Sequence, residues 1–227
     1  MTLQHTMKRF DEELSSLDSS LSEMGGLAEA QLSDALKALR EGDTALAERV
    51  IRSDQRVDEL EQRVQEQVVS MLALRQPMAT DLRQIVTSIK LGVAIERIAD
   101  YAKNISKRTL QLPTSPTPAR AISGVDRLGR LVQRLVHDVL DALASGDTAK
   151  ARSVWEHDVE VDDSYNGLVR ELLTYMMEDA RNIGGCTHLL FMPKNIERIG
   201  DHATNIAELL IYRHSGARLE ETRPRAT

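Results

Sequence analysis

Acidic residues stand where a helical repeat should carry apolar ones. Leu82, Val86, Ile89 and Val93 step by threes and fours along one stripe, and the next two steps are Glu96 and Asp100. Carboxylates four residues apart share a helix face and repel each other, by roughly 0.2–0.5 kcal/mol when exposed and by far more when buried. The segment before it has the same interruption. Its series Ala47, Val50, Asp54, Val57, Glu61, Val64, Val68 and Met71 sets two acids among apolar steps, with Asp58 one turn from Asp54. If these two segments face each other as helices, at least four carboxylates meet in one small region, and such a cluster needs cations. Two sources are open. Arg56, Arg63, Lys103 or Lys107 can pair with the first cluster. Alternatively a hard metal ion can be bound through oxygen alone, which suits Mg, Mn, Ca or Fe and also accepts Zn. Arg97 lies about 100° around the helix from Glu96, so it is expected to face water or a partner.

The whole arrangement occurs twice. Asp34, Leu36, Ala38, Leu39, Gly42, Asp43, Thr44, Ala45, Ala47 and Val50 recur 104 residues later as Asp138, Leu140, Ala142, Leu143, Gly146, Asp147, Thr148, Ala149, Ala151 and Val154. Ile95-Glu96-Arg97-Ile98, Asp100, Ala102, Asn104 and Ile105 recur 101 residues later as Ile196-Glu197-Arg198-Ile199, Asp201, Ala203, Asn205 and Ile206. The second copy has therefore lost three residues between its second and third helices. It keeps Asp158 and Asp162 for Asp54 and Asp58, and replaces Glu61 by Tyr165. Its cation candidates are Arg170 and Arg198, of which Arg198, like Arg97, lies about 100° around the helix from its neighbouring acid and is expected to face water or a partner. The repeated Gly-Asp-Thr reads as punctuation: Gly42 or Gly146 ends one helix in the left-handed conformation, and Asp43 or Asp147 caps the next.

Positioning these acids requires long helices. Phe10, Leu14, Leu17, Leu21, Met24, Ala28 and Ala35 mark the first, followed by segments near Asp43 to Arg75 and Thr80 to Leu110. Aromatics are only 3% of the 227 residues, so the core is built of Leu, Val, Ile, Ala and Met, which suit helix packing. The expectation is an all-α fold of two tandem three-helix bundles: residues 1–111, a Pro-rich linker at 112–120 containing Pro113, Pro116 and Pro118, residues 121–215, and a frayed tail at 216–227. Pro193 aligns with Gly92 and is expected to kink the last helix or start a new one. Cys186 falls in what reads as a Gly-rich turn with no adjacent base, which argues against a nucleophile.

Other chemistries find little support. Net charge is −6 and no basic run reaches five residues, so nucleic acid is not an expected partner. No window of eighteen uncharged apolar residues occurs, and the N-terminus has no signal-peptide core, so neither membrane insertion nor secretion is expected. A single cysteine suits a reducing compartment. No Glu has His three residues on, as di-iron bundles require. His157 and His202 flank second-copy acids but have Ser53 and Tyr101 as first-copy counterparts, so they read as supporting or exposed imidazoles. Asn104 and Asn205 could ligate a metal or hold the carboxylates in place.

The paired Glu96-Arg97-Ile98-Ala99-Asp100 with Asn104-Ile105, and Glu197-Arg198-Ile199-Gly200-Asp201 with Asn205-Ile206, resemble the PhoU family of bacterial regulators of phosphate-specific transport. The resemblance spans roughly Met7 to Tyr212. It implies a cytoplasmic, non-enzymatic, commonly dimeric protein of two three-helix bundles. Such a protein represses phosphate-starvation genes, and links the ATPase subunit of a phosphate ABC transporter to a sensor histidine kinase. It also implies multinuclear metal clusters of iron or zinc on Glu96, Asp100, Glu197 and Asp201, with Asp54, Asp58, Asp158 and Asp162 as further ligands; manganese and magnesium fit the same oxygen chemistry. Two rival readings stand beside this one: a carboxylate-bridged metalloenzyme acting on phosphate esters, and a metal-free helical scaffold.

Overall fold

The computed structural model describes residues 2–75, 77–112, 117–217 and 219, with side chains from Arg9 onward. Seven α-helices and one 3-10 turn make up the secondary structure of the described residues: α1 (Thr2–Glu41), α2 (Thr44–Arg75), α3 (Ala79–Leu110), α4 (Ala119–Ser145), α5 (Thr148–Glu156), α6 (Asp158–Glu178), the 3-10 turn (Ala180–Asn182) and α7 (Ile183–Ser215). α2 and α3 match the expected segments to within one residue, and α1 contains the stripe from Phe10 to Ala35. The α1–α2 and α4–α5 corners are built as their repeated Gly-Asp-Thr implies. Gly42 and Gly146 take φ of 66° and 71°, Asp43 accepts from the Leu46 amide at 2.9 Å, and Asp147 accepts from the amides of Ala149 and Lys150.

The second copy departs from three unbroken helices. Its middle helix is divided into α5 and α6 at His157, whose Nδ1 lies 2.7 Å from the Ser153 carbonyl while its own amide donates to that same oxygen. The side chain thus competes for the acceptor that the helix ladder uses. Pro193 starts no new helix: α7 runs through it, and the ring is buried. The expected Gly-rich turn at Cys186 is also helical, forming the start of α7 with the thiol fully buried. Pro113 and Pro116 of the expected linker lie outside the described residues, and Pro118 caps α4. Of the expected tail, Leu219 packs against the core, and Arg218 and residues 220–227 lie outside the described residues.

The two halves share one continuous apolar core that runs from Leu17 to Leu210. The first helices pack together, and so do the third helices, leaving α2 on one flank and α5–α6 on the other. Both central pairs are antiparallel. Along α1 and α4, Glu29 meets His137 at 2.9 Å and Arg40 meets the buried Asp126 at 3.3 Å. Along α3 and α7, the Arg108 guanidinium lies 4.4 Å from the Phe191 ring centre, and Arg83 donates to the Arg213 carbonyl at the opposite end. Glycines allow close approach here: a Cβ on Gly25 would stand 2.7 Å from Leu140. This antiparallel arrangement puts the two acidic motifs beside each other near the middle of the α3–α7 contact.

Candidate functional site

The α3 stripe is not the core face that its period suggested. Leu82, Val86 and Val93 are about 40% exposed, while Ile85, Leu91, Ile95, Ile98, Ala99 and Ala102 are buried. α3 packs against α1, α2 and α7 at once, so its buried residues cover several faces and the stripe ending in Glu96 and Asp100 runs along the rim. The Glu96 side chain keeps 19% of its surface exposed and Asp100 keeps 26%. On α2 the reading holds better: Asp54 is buried among apolar neighbours, and Asp58 is exposed.

The first-half acids do come together. Lys103, one turn beyond Asp100 on α3, places its ammonium against Asp54 of α2 and 2.7 Å from Asp100. Arg97 also turns back, reaching Asp100 at 3.3 Å and Glu96 at 3.4 Å. It remains half exposed, so it faces water as expected while also pairing with the acids. The flexible arginine stem spans the angular gap that separates the Cα positions. Burial acts against the Lys103 charge, but hydrogen bonds to Asp100 and Asp54 outweigh it and hold its pKa well above the ordinary lysine value. Burial, then the hydrogen bond to Asp100 and that group's charge, push Glu96 up to about 7. Burial and then the Asp54 charge raise Asp58. Burial would raise Asp100 too, but hydrogen bonds with Lys103 and Glu96 leave it below the usual carboxylate value. One hydrogen-bonded carboxyl pair with an ammonium inserted is a site that carries its own cation.

The second half is built differently. Asp162, Lys194, Glu197, Arg198, Asp201, His202 and Asn205 line an open cavity of about 420 Å³. Asp158 is buried, and Thr204 of α7 donates to it at 3.0 Å. Thr204 is the repeat counterpart of Lys103. Lys194 pairs with Glu197 from the rim, 2.8 Å from both carboxylate oxygens and 47% exposed. Oε2 of Glu197 is nonetheless buried without a hydrogen bond in bonding geometry. Arg198 lies 3.4 Å from Asp201, and Arg97 stands in the same relation to Asp100 in the first copy, at 3.3 Å. Tyr101 and His202, each following a motif aspartate, stack with ring centres 5.8 Å apart and so tie the two sites together. Burial lowers the pKa of His202 and favours its neutral form. His157 binds its own helix and contributes nothing to the cavity.

Among the described residues no group of three or more His, Cys, Asp or Glu stands in ready-made metal-binding geometry. The donor chemistry nevertheless separates the two halves. Asp162, Glu197 and Asp201 open onto one cavity with the Lys194 ammonium half exposed at its rim, an oxygen donor set that fits a hard cation. In the first half the corresponding space holds the Lys103 ammonium, which does not fit one. Thr204 and Lys194 escaped the sequence reading. Thr204 was available through its repeat position, whereas the reach of Lys194 back to Glu197 was not marked by any repeat, since Val93 is its counterpart.

Comparison with known proteins decides the family. The PhoU domain model matches twice, at residues 21–109 and 125–210, which are the two halves of the repeat. The chain belongs to the PhoU family. A PhoU homolog of Rhizobium meliloti, named as a phosphate-specific transport system accessory protein, is 48% identical over 225 residues, covering 99% of this chain and 95% of that one. The similarly named Caulobacter vibrioides protein is 46% identical over 222 residues, covering 98% and 96%. The crystal structure of PhoU from Pseudomonas aeruginosa superposes with a TM-score of 0.86 at 41% identity, covering 92% of this chain and all of that one. That of the phosphate transport system regulatory protein PhoU from Streptococcus pneumoniae gives 0.85 at 28% identity, covering 93% and 100%. PhoU relatives are named as accessory or regulatory proteins, which agrees with the non-enzymatic expectation and disfavours the phosphate-ester hydrolase. The all-α repeat architecture stands with the fold of these PhoU structures.

Proposed function

We propose that this PhoU-family chain is a negative regulator of phosphate uptake and of phosphate-starvation signalling. It acts in the cytoplasm as an adaptor between the ATPase subunit of a phosphate ABC transporter and a sensor histidine kinase, and it works as a homodimer. The observation that carries this reading is near-full-length identity of 46–48% to phosphate-transport accessory proteins. In keeping with a cytoplasmic place, no helix among the described residues is long and apolar enough to cross a membrane.

The second acidic site is proposed to hold metal, either iron, zinc, manganese or magnesium, through Asp162, Glu197 and Asp201. A bound ion there would neutralise the carboxylates and strengthen the junction of α6 with α7. Asp158 supports the site through its bond to Thr204. What the chain itself supplies is a helical frame that holds these acids at an open cavity, with the half-exposed Lys194 paired to Glu197 at its rim.

The adaptor reading is tested by deleting the gene and measuring phosphate-starvation reporters in phosphate-replete medium. Reporters should switch on in the deletion strain and be silenced again by the complementing gene. Purified chain should also capture the transporter ATPase subunit and the kinase. Reporters that stay off in the deletion strain, with neither protein captured, would overturn the adaptor reading.

A further inference from the structure

The two halves of the repeat have diverged at one position that decides how each acidic site is neutralised. Lys103 and Thr204 occupy equivalent places, one turn past Asp100 and Asp201. The Lys103 ammonium bridges two helices, touching Asp54 of α2 and lying 2.7 Å from Asp100 of α3, and its side chain is only 21% exposed. Thr204 reaches Asp158 with a hydroxyl and brings no charge. The lysine at the second site is Lys194, which approaches from the rim, is 47% exposed, and in the same position lies 5.4 Å from the Tyr165 ring centre. Tyr165 itself stands where the first copy has Glu61.

From this contrast we infer that Lys103 is the resident cation of the first acidic site and excludes metal from it, so that this chain's metal capacity resides in its second half alone. The physical reason is that an ammonium held between carboxylates of two helices takes the space and the charge that a metal ion would require. Expelling it would bury a lysine without its partners or force a four-carbon stem out through the rim. The inference rests on the metal reading above only for the second half. For the first half it stands on the Lys103 contacts.

The test uses full-length, untagged protein dialysed against chelator and then equilibrated with Mn(II), with bound metal counted by elemental analysis. Lys103→Met should bind about one further Mn(II) per chain than the unaltered protein. Glu96→Ala introduced into that variant should remove the gain. Lys103→Arg retains a cation and should gain no metal. Melting offers a second readout. Lys103→Met should be less stable than the unaltered protein in chelator, because Asp54 is left buried without its cation, and Mn(II) should restore the loss. The inference is overturned if Lys103→Met takes up no additional Mn(II) and is not stabilised by it, or if Glu96→Ala alone strips Mn(II) from the unaltered protein. Absence of Mn(II) from the unaltered protein, together with uptake by Lys103→Met, would sink the second-half metal reading and leave the Lys103 assignment standing.

Discussion

Glu96→Gln should stabilise the protein above neutral pH and have little effect in acid. In the folded chain the Glu96 carboxyl is raised from 4.5 to about 7 by burial, the hydrogen bond to Asp100 and the Asp100 charge. The folded state therefore binds a proton more tightly than the unfolded state, and stability falls as pH rises from about 4.5 to about 7. At about 1.4 kcal/mol per pH unit this interval sets an upper bound of roughly 3.5 kcal/mol. Solvent at the rim and sharing of the proton with Asp100 reduce the effect to about 1–2 kcal/mol. Glutamine is neutral at every pH, and its amide can still donate to Asp100, so the variant escapes the cost without losing the contact. For a chain of this length that amounts to a rise of roughly 2–8 °C in Tm at pH 8. Most of the gain should vanish by pH 5. The assay is thermal melting by circular dichroism at both pH values in chelator. Equal Tm for the two proteins at pH 8, or a gain as large at pH 5, would refute the reasoning. A loss of Tm at pH 8 that chelator produces and metal reverses would place a metal on Glu96 after all.

Thr204→Val keeps the shape of the side chain but leaves the buried Asp158 without the hydroxyl bond of 3.0 Å, and should cost about 1.5–3 kcal/mol in urea unfolding. Glu197→Ala combined with Asp201→Ala should abolish metal uptake by the second half, read by elemental analysis, while the helical circular dichroism spectrum is preserved; retained metal would place its site elsewhere. Gly129→Val should destabilise the chain by about 1–3 kcal/mol, because a Cβ there runs into Leu36 across the α1–α4 contact. A Cβ on Gly26 of α1 would stand in open space, and the expected gain of up to about 1 kcal/mol from Gly26→Ala serves as the control in the same denaturation series.

Much of the architecture was legible because helices and their corners are local. The repeat of Gly42-Asp43-Thr44 in Gly146-Asp147-Thr148 located both corners, and left-handed glycines with aspartate caps form them. The division at His157 was not legible, since it depends on a side chain competing for the Ser153 carbonyl rather than on proline or glycine. Passage of α7 through Pro193 was hidden as well: the helix continues across the lost backbone hydrogen bond with the proline ring buried.

The candidate site divides in the same way. Which residues carry charge, that each half holds acids on two helices, and that the motifs occur as a pair all follow from the order of amino acids, because residue type and helical period are properties of the chain alone. It placed Asp54 at a buried position, since that acid replaces one apolar step on the covered face of α2. It misplaced Glu96 and Asp100 in the core because α3 is covered on several sides, and a period cannot tell which of several stripes lies deepest. Only the tertiary structure decided that Lys103 spans from α3 to Asp54, that Thr204 takes a different role at the matching position, and that Tyr101 stacks on His202 between the sites. Those outcomes turn on how far a side chain reaches across a packed interface and what it meets there, and such distances arise only when the helices dock.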